Sequence, residues 1–162
     1  MHDLLLWLEA TAVSTWVRES GSVWAYPTVL AAHTVGMSLL VGANAVLDLR
    51  LLGVAPQVPL APLVVVFRAL WTGAAVSFIS GLLLFAADAS TKGATPVFLV
   101  KLACITAAVV VARRLRCTVY RQGGEAAEIT FAAKALAVAS LLLWTGAITA
   151  GRFMAYLTPG PS

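Results

Sequence analysis

The chain has 162 residues, 60% of them hydrophobic and only 11% charged, with a net charge of +4. Soluble domains carry about 25% charged residues, so this composition excludes an ordinary soluble globular domain, and the length suits one compact bundle with no second folded domain. The positive balance does not indicate nucleic acid as a partner, because the basic residues cluster at the ends of apolar segments, where membrane topology places them.

In chain order, residues 1–19 read as a short interfacial helix. Leu4, Leu5, Trp7, Leu8, Val13, Trp16 and Val17 alternate with Asp3, Glu9, Arg18 and Glu19. Such a segment is too polar to span a bilayer, and its two Trp residues suit the headgroup level. It does not read as a signal peptide: Asp3 precedes the apolar stretch, no Lys or Arg does, and the stretch is only Leu4 to Leu8.

The first apolar helix is predicted over 23–52, with Pro27 in its first turns and Gly53 as its C-terminal cap. A proline-containing loop, 54–62, follows. The second helix is predicted over 63–87, the third over 96–115 after a loop at 88–95, and the fourth over 125–156. The fold class is therefore all-α: an interfacial helix at 1–19, a four-helix transmembrane bundle at 20–157 and a tail at 158–162.

Four spans put both termini on one side. The two loops after the first and third helices share the other side with Arg50, Arg68, Arg113, Arg114, Arg116, Arg121 and Lys134, seven basic residues against four (Arg18, Lys92, Lys101, Arg152). The positive-inside rule then predicts a multi-pass membrane protein with both of these loops in the cytoplasm and both termini outside.

Small residues three or four apart form seams that allow close helix contact in lipid: Ser38, Gly42 and Ala45; Gly73, Ser77 and Gly81; Gly146 and Ala150. The string Trp-Thr-Gly-Ala occurs at Trp71 and again at Trp144, and reads as coincidence. Cys104 and Cys117 lie roughly 20 Å apart along a continuous helix and cannot pair. Cys104 reads as a small apolar packing residue.

One residue stands out chemically. His33 lies within a run of 25 residues, from Val23 to Leu47, that has no charged side chain. An ionisable group at that depth marks a functional site by default. Gly36 is one turn on and would leave space beside the imidazole, as a porphyrin requires. Three readings stay open for His33: a haem ligand, a quinone or proton site, or a buried hydrogen-bonded structural residue. If haem b is bound, the sixth ligand would be Met154, His2, water or nothing. The haem would then sit between the first and fourth helices, with Lys101 and Arg152 as candidates for its propionates or for another anionic head group. The alternative for Lys101 and Arg152 is snorkelling to the interface. Asp48 is expected to pair with Arg68 across the first hairpin.

No catalytic constellation is visible: no Ser-His-Asp set, CxxC, HExxH or phosphate loop. The soft ligands are too few for a copper pathway.

Arg18-Glu19-Ser20, Tyr26-Pro27, His33, Asp48-Leu49-Arg50-Leu51-Leu52-Gly53, Pro96-x-Phe98-x-x-Lys101, Trp144 and Gly151-Arg152 together resemble an uncharacterised family of small bacterial membrane proteins. The resemblance covers nearly the whole chain and implies a four-helix inner-membrane bundle, with no activity to carry over. More distantly, the His-x-x-Gly of His33 and Gly36 is similar to b-type cytochrome and copper-resistance membrane subunits.

Three functions are compatible with these readings. The first is a membrane subunit that carries one b-type haem through His33 and passes electrons between a membrane or periplasmic protein partner and the quinone pool. The second is a cofactor-free structural or anchoring subunit of a larger membrane complex. The third, a small transporter, would need a polar path for which His33, Ser77, Ser80 and Asp48 are few and scattered.

Overall fold

The computed structural model describes residues 2–20, 22, 24–54, 56–58, 64–93, 95–121 and 129–157. Among them are seven helices and no strand: α1 (His2–Glu9), α2 (Ala12–Glu19), α3 (Ala25–Leu51), α4 (Val64–Ala86), α5 (Ala89–Gly93), α6 (Pro96–Arg121) and α7 (Phe131–Leu157). The long helices α3, α4, α6 and α7 are apolar and long enough to cross a membrane. The shortest of them, α4 with 23 residues, rises about 34 Å, more than a bilayer's hydrocarbon core. The fold is that of a multi-pass helical membrane protein.

α3 packs on α4 and α6 on α7, and these two hairpins join where α3 meets α7. The shared core is built from Leu40, Ala43 and Leu47 of α3, Phe67 and Leu70 of α4, Ala108 of α6 and Trp144 of α7. The two Trp-Thr-Gly-Ala copies reach the same core, with Trp144 in the cluster and Trp71 packed against it. Outward-facing Phe78, Leu99 and Leu142 remain exposed on the bundle, as lipid contact requires. α4 and α6 touch chiefly through long side chains. Phe85 stacks on Phe98 with ring centres 4.8 Å apart, and Arg113 and Arg116 lie over Trp71 and Phe67 at 5.6 and 5.9 Å.

α3 ends as its sequence predicts. Gly53 adopts φ 97°, the left-handed conformation that costs glycine least. The N–H of Gly53 bonds to the Arg50 carbonyl and that of Val54 to the Leu49 carbonyl, at 3.2 and 3.0 Å, the paired bonds of a Schellman ending. The Arg50 side chain then donates to the carbonyls of Val58 and Pro56 at 2.6 and 2.8 Å, tying the loop back onto the helix end.

Four element boundaries differ from expectation, each for a local reason. The segment expected as one helix over 1–19 is divided into α1 and α2, because extended Thr11 caps α2: its hydroxyl accepts the Ser14 N–H at 3.4 Å. The loop at 88–95 contains the short α5. α6 continues to Arg121 rather than ending at 115, since no Gly or Pro interrupts it and basic residues suit a helix C-terminus. α7 begins at Phe131 rather than 125, where the Thr130 hydroxyl accepts the Ala133 N–H at 3.3 Å. The start expected at 125, like the tail at 158–162, lies outside the described residues.

The N-terminal pair is fastened to the bundle through one carboxylate. Glu9 accepts from the backbone N–H and the hydroxyl of Ser90, at 2.6 and 2.7 Å. Val17 and Ser14 of α2 are buried. Charge-assisted bonds of this kind contribute about 1.5–3 kcal/mol each. Glu9→Ala is therefore expected to loosen α1 from α5 without unfolding the bundle. Amide exchange should accelerate within α1 and α5 and stay unchanged in the core of α3.

Candidate functional site

Two polar clusters lie inside the spanning helices. The first is at His33 on α3. Its Nδ1 lies 3.0 Å from the Ser77 carbonyl oxygen and 3.1 Å from the Ser80 hydroxyl, both on α4. A carbonyl only accepts, so Nδ1 carries the proton. The Ser80 hydroxyl already donates to the Val76 carbonyl at 2.6 Å and can accept from the same N–H. The neutral imidazole therefore has its lone pair on Nε2.

The glycines around this cluster serve close packing. A Cβ on Gly36 would lie 2.7 Å from the Ser77 nitrogen, and one on Gly73 would lie 2.6 Å from the Leu40 nitrogen and 2.8 Å from the Gly36 oxygen. At Gly81 the neighbour is the imidazole itself, with Cε1 at 3.0 Å. The seam Gly73–Ser77–Gly81 is thus the face of α4 that meets α3, as its spacing suggests. On α3 the contact residue is Gly36. A Cβ on Gly42 would meet nothing within 4 Å, so the expected seam through Ser38, Gly42 and Ala45 is not the close contact.

Gly36 therefore leaves no free space beside the imidazole; backbone atoms of Ser77 and Gly73 fill it. The Nδ1–Cε1 edge of His33 faces α4, the second spanning helix, rather than a gap between the first and the fourth. Of the other residues named for a haem, Lys101 lies against α7, with Cε and Nζ both 3.7 Å from a Cβ placed on Gly151. It is also within electrostatic range of His33. Arg152 is exposed and Met154 is half-buried. The side chain of His2 lies outside the described residues. The Nδ1 bond to a carbonyl suits a metal-binding histidine, but the filled Gly36 side does not suit a porphyrin. Among the described residues no group of three or more His, Cys, Asp or Glu could hold a metal ion.

The second cluster sits about 17 Å further along α3, eleven residues on. Asn44 Nδ2 donates to Asp48 Oδ2 at 2.6 Å and to the Ser140 hydroxyl of α7 at 2.7 Å. All three residues are buried, Asp48 and Ser140 completely. Asp48 Oδ1 is buried without a hydrogen-bond partner. Asp48 also lines a cavity of about 10 Å³, together with Asn44, Leu47, Leu51, Phe67, Ala112 and Leu115. The expected Asp48–Arg68 ion pair does not form. Asp48 turns inward to its own helix, one turn back, while Arg68 is exposed. Ion pairs among the described residues include Arg18–Glu19 and Lys92–Asp88.

Asn44 and Ser140 are the residues of this cluster that sequence reasoning missed. The available signal was Asn44 four residues before Asp48 within an apolar helix, which puts both on one face. Between the two clusters the core is apolar, with Leu40, Leu70, Ala108 and Trp144.

No family model, no curated protein and no solved structure matches this chain.

Proposed function

We propose that this chain is a structural or anchoring subunit of a larger membrane complex, working through its packed helices. The observation that carries this reading is the use made of its intramembrane polar groups. His33 spends its Nδ1–H on joining α3 to α4, and Asn44 joins α3 to α7. Even the most specific motif has structural employment: Asp48 accepts from Asn44, Leu49 and Arg50 close the helix end, Leu51 is buried, and Gly53 takes the left-handed turn. We also propose kinship with the small bacterial membrane proteins that the Asp-Leu-Arg-Leu-Leu-Gly string resembles. A transport role has less support, because an apolar layer separates the two polar clusters.

The test is the size of the protein extracted in mild detergent from the membranes in which it is naturally made. Native electrophoresis should show it in a discrete assembly with stoichiometric partners. Migration as a lone chain in its micelle would overturn the reading.

A second reading is one b-type haem held through His33 for electron transfer between a partner protein and the quinone pool. One observation favours it: the locked Nδ1–H leaves Nε2 with a lone pair. In either reading we place the chain in a bacterial inner membrane with both termini periplasmic, on the seven-to-four division of basic residues. A C-terminal tag in intact spheroplasts should then be removed by external protease, and a tag that resists it would reverse the orientation.

A further inference from the structure

The Asn44–Asp48–Ser140 cluster contains a group that fastening alone does not explain. Asp48 is completely buried, its Oδ1 has no hydrogen-bond partner, and the residue lines a cavity of about 10 Å³. The cationic groups on α3 and the helices around it are engaged or exposed. On α3, Arg50 binds the carbonyls of Val58 and Pro56. On α6, Arg113 lies over Trp71 and Arg116 over Phe67, with Arg114 exposed beside them. Arg68 of α4 and Lys134 of α7 are exposed. Among the described residues no cation is within ion-pair distance of Asp48.

We propose that Asp48 and its cavity form a proton-binding site, in which the carboxyl is carried as the neutral acid and its Oδ1–H points into the cavity. An ionised carboxylate here would keep one oxygen buried and unbonded with no counter-charge, the costliest state for such a group. The neutral acid removes the charge and turns Oδ1 into a donor. At about 10 Å³ the cavity is at the lower limit for one water that would accept from it. Oδ2 meanwhile keeps its bond from Asn44, so proton uptake leaves the α3–α7 contact intact. Leu51 and Leu115 line the cavity and, packed with Ala137, screen the site with apolar side chains.

Infrared spectroscopy of the full chain in lipid vesicles at neutral pH tests this directly. The expected result is the carbonyl stretch of a protonated carboxylic acid, shifted by 13C labelling of aspartate carboxyls and lost in Asp48→Asn. The other two aspartates, Asp3 and Asp88, lie outside the spanning helices, and Asp88 is paired with Lys92. If Asp48→Asn does not fold, the isotope shift in the wild-type chain still decides. A second arm uses dicyclohexylcarbodiimide, a lipid-soluble reagent selective for protonated carboxyls. The acid proton moves to a carbodiimide nitrogen as the carboxyl oxygen bonds the central carbon, and the acylisourea rearranges to a stable N-acylurea. One adduct should map to the peptide that contains Asp48. Absence of the acid band at neutral pH, its retention in Asp48→Asn, or adducts confined to other carboxyls would overturn the proposal.

Discussion

Gly73→Ala is expected to destabilise the bundle by about 3 kcal/mol, the upper end of the usual cost of adding bulk to a packed contact. The added methyl would lie 2.6 Å from the Leu40 nitrogen and 2.8 Å from the Gly36 oxygen. Both are backbone atoms and cannot rotate away, so α3 and α4 must separate. Separation also stretches the His33–Ser77 bond, which crosses the same contact. In an open helix the same change would gain about 0.8–1.0 kcal/mol in propensity. Gly42→Ala supplies that control, because nothing lies within 4 Å of its Cβ position. Unfolding in mixed detergent micelles should therefore move in opposite directions for the two variants. Equal behaviour would mean that α3 and α4 do not meet at Gly73.

Asn44→Ala is expected to cost about 2 kcal/mol. Polar contacts between membrane helices average only about 0.6 kcal/mol and reach about 1.7, but this side chain makes two. Its loss leaves Asp48 Oδ2 and the Ser140 hydroxyl without the donor that serves both, and buried unsatisfied groups cost about 1–3 kcal/mol. Ser140→Ala should cost less, since Asn44 keeps its bond to Asp48. Ser38→Ala should cost almost nothing: its hydroxyl bonds only the Thr34 carbonyl of its own helix, at 2.9 Å. The order Asn44, Ser140, Ser38 in the same micelle assay is the expected result. An Asn44→Ala chain as stable as wild type would show that α3 and α7 are held by apolar packing alone.

The parts of this fold legible in the sequence are those set by local composition. Charge-free runs mark the four spans, Gly53 marks the end of α3, and the spacing of Gly73, Ser77 and Gly81 marks a contact face. Boundaries set by a single side-chain bond were not legible as such. Thr11 and Thr130 begin helices where the apolar pattern alone would run on. The site was legible in only one half. His33 stands out because no charge surrounds it, yet its partner is a backbone carbonyl, and a carbonyl leaves no mark in a sequence. Gly36 signals space, but spacing cannot tell whether a ligand or another helix takes that space. Asn44 and Ser140 meet across 96 residues, and only the docking of the two hairpins brings them together. The Asp48–Arg68 pair follows from hairpin geometry but fails because Asp48 has a closer donor one turn away.

The role proposed for His33 is to join α3 to α4 through its bond to the Ser77 carbonyl. The most direct measurement is the reduced-minus-oxidised absorbance spectrum of the chain purified from its natural membrane, set beside His33→Ala. A structural His33 predicts no haem bands in either protein, a folded His33→Ala chain, and a stability loss near the average of about 0.6 kcal/mol for such contacts. Haem bands in the wild-type protein that vanish in His33→Ala, with the helices intact, would contradict it.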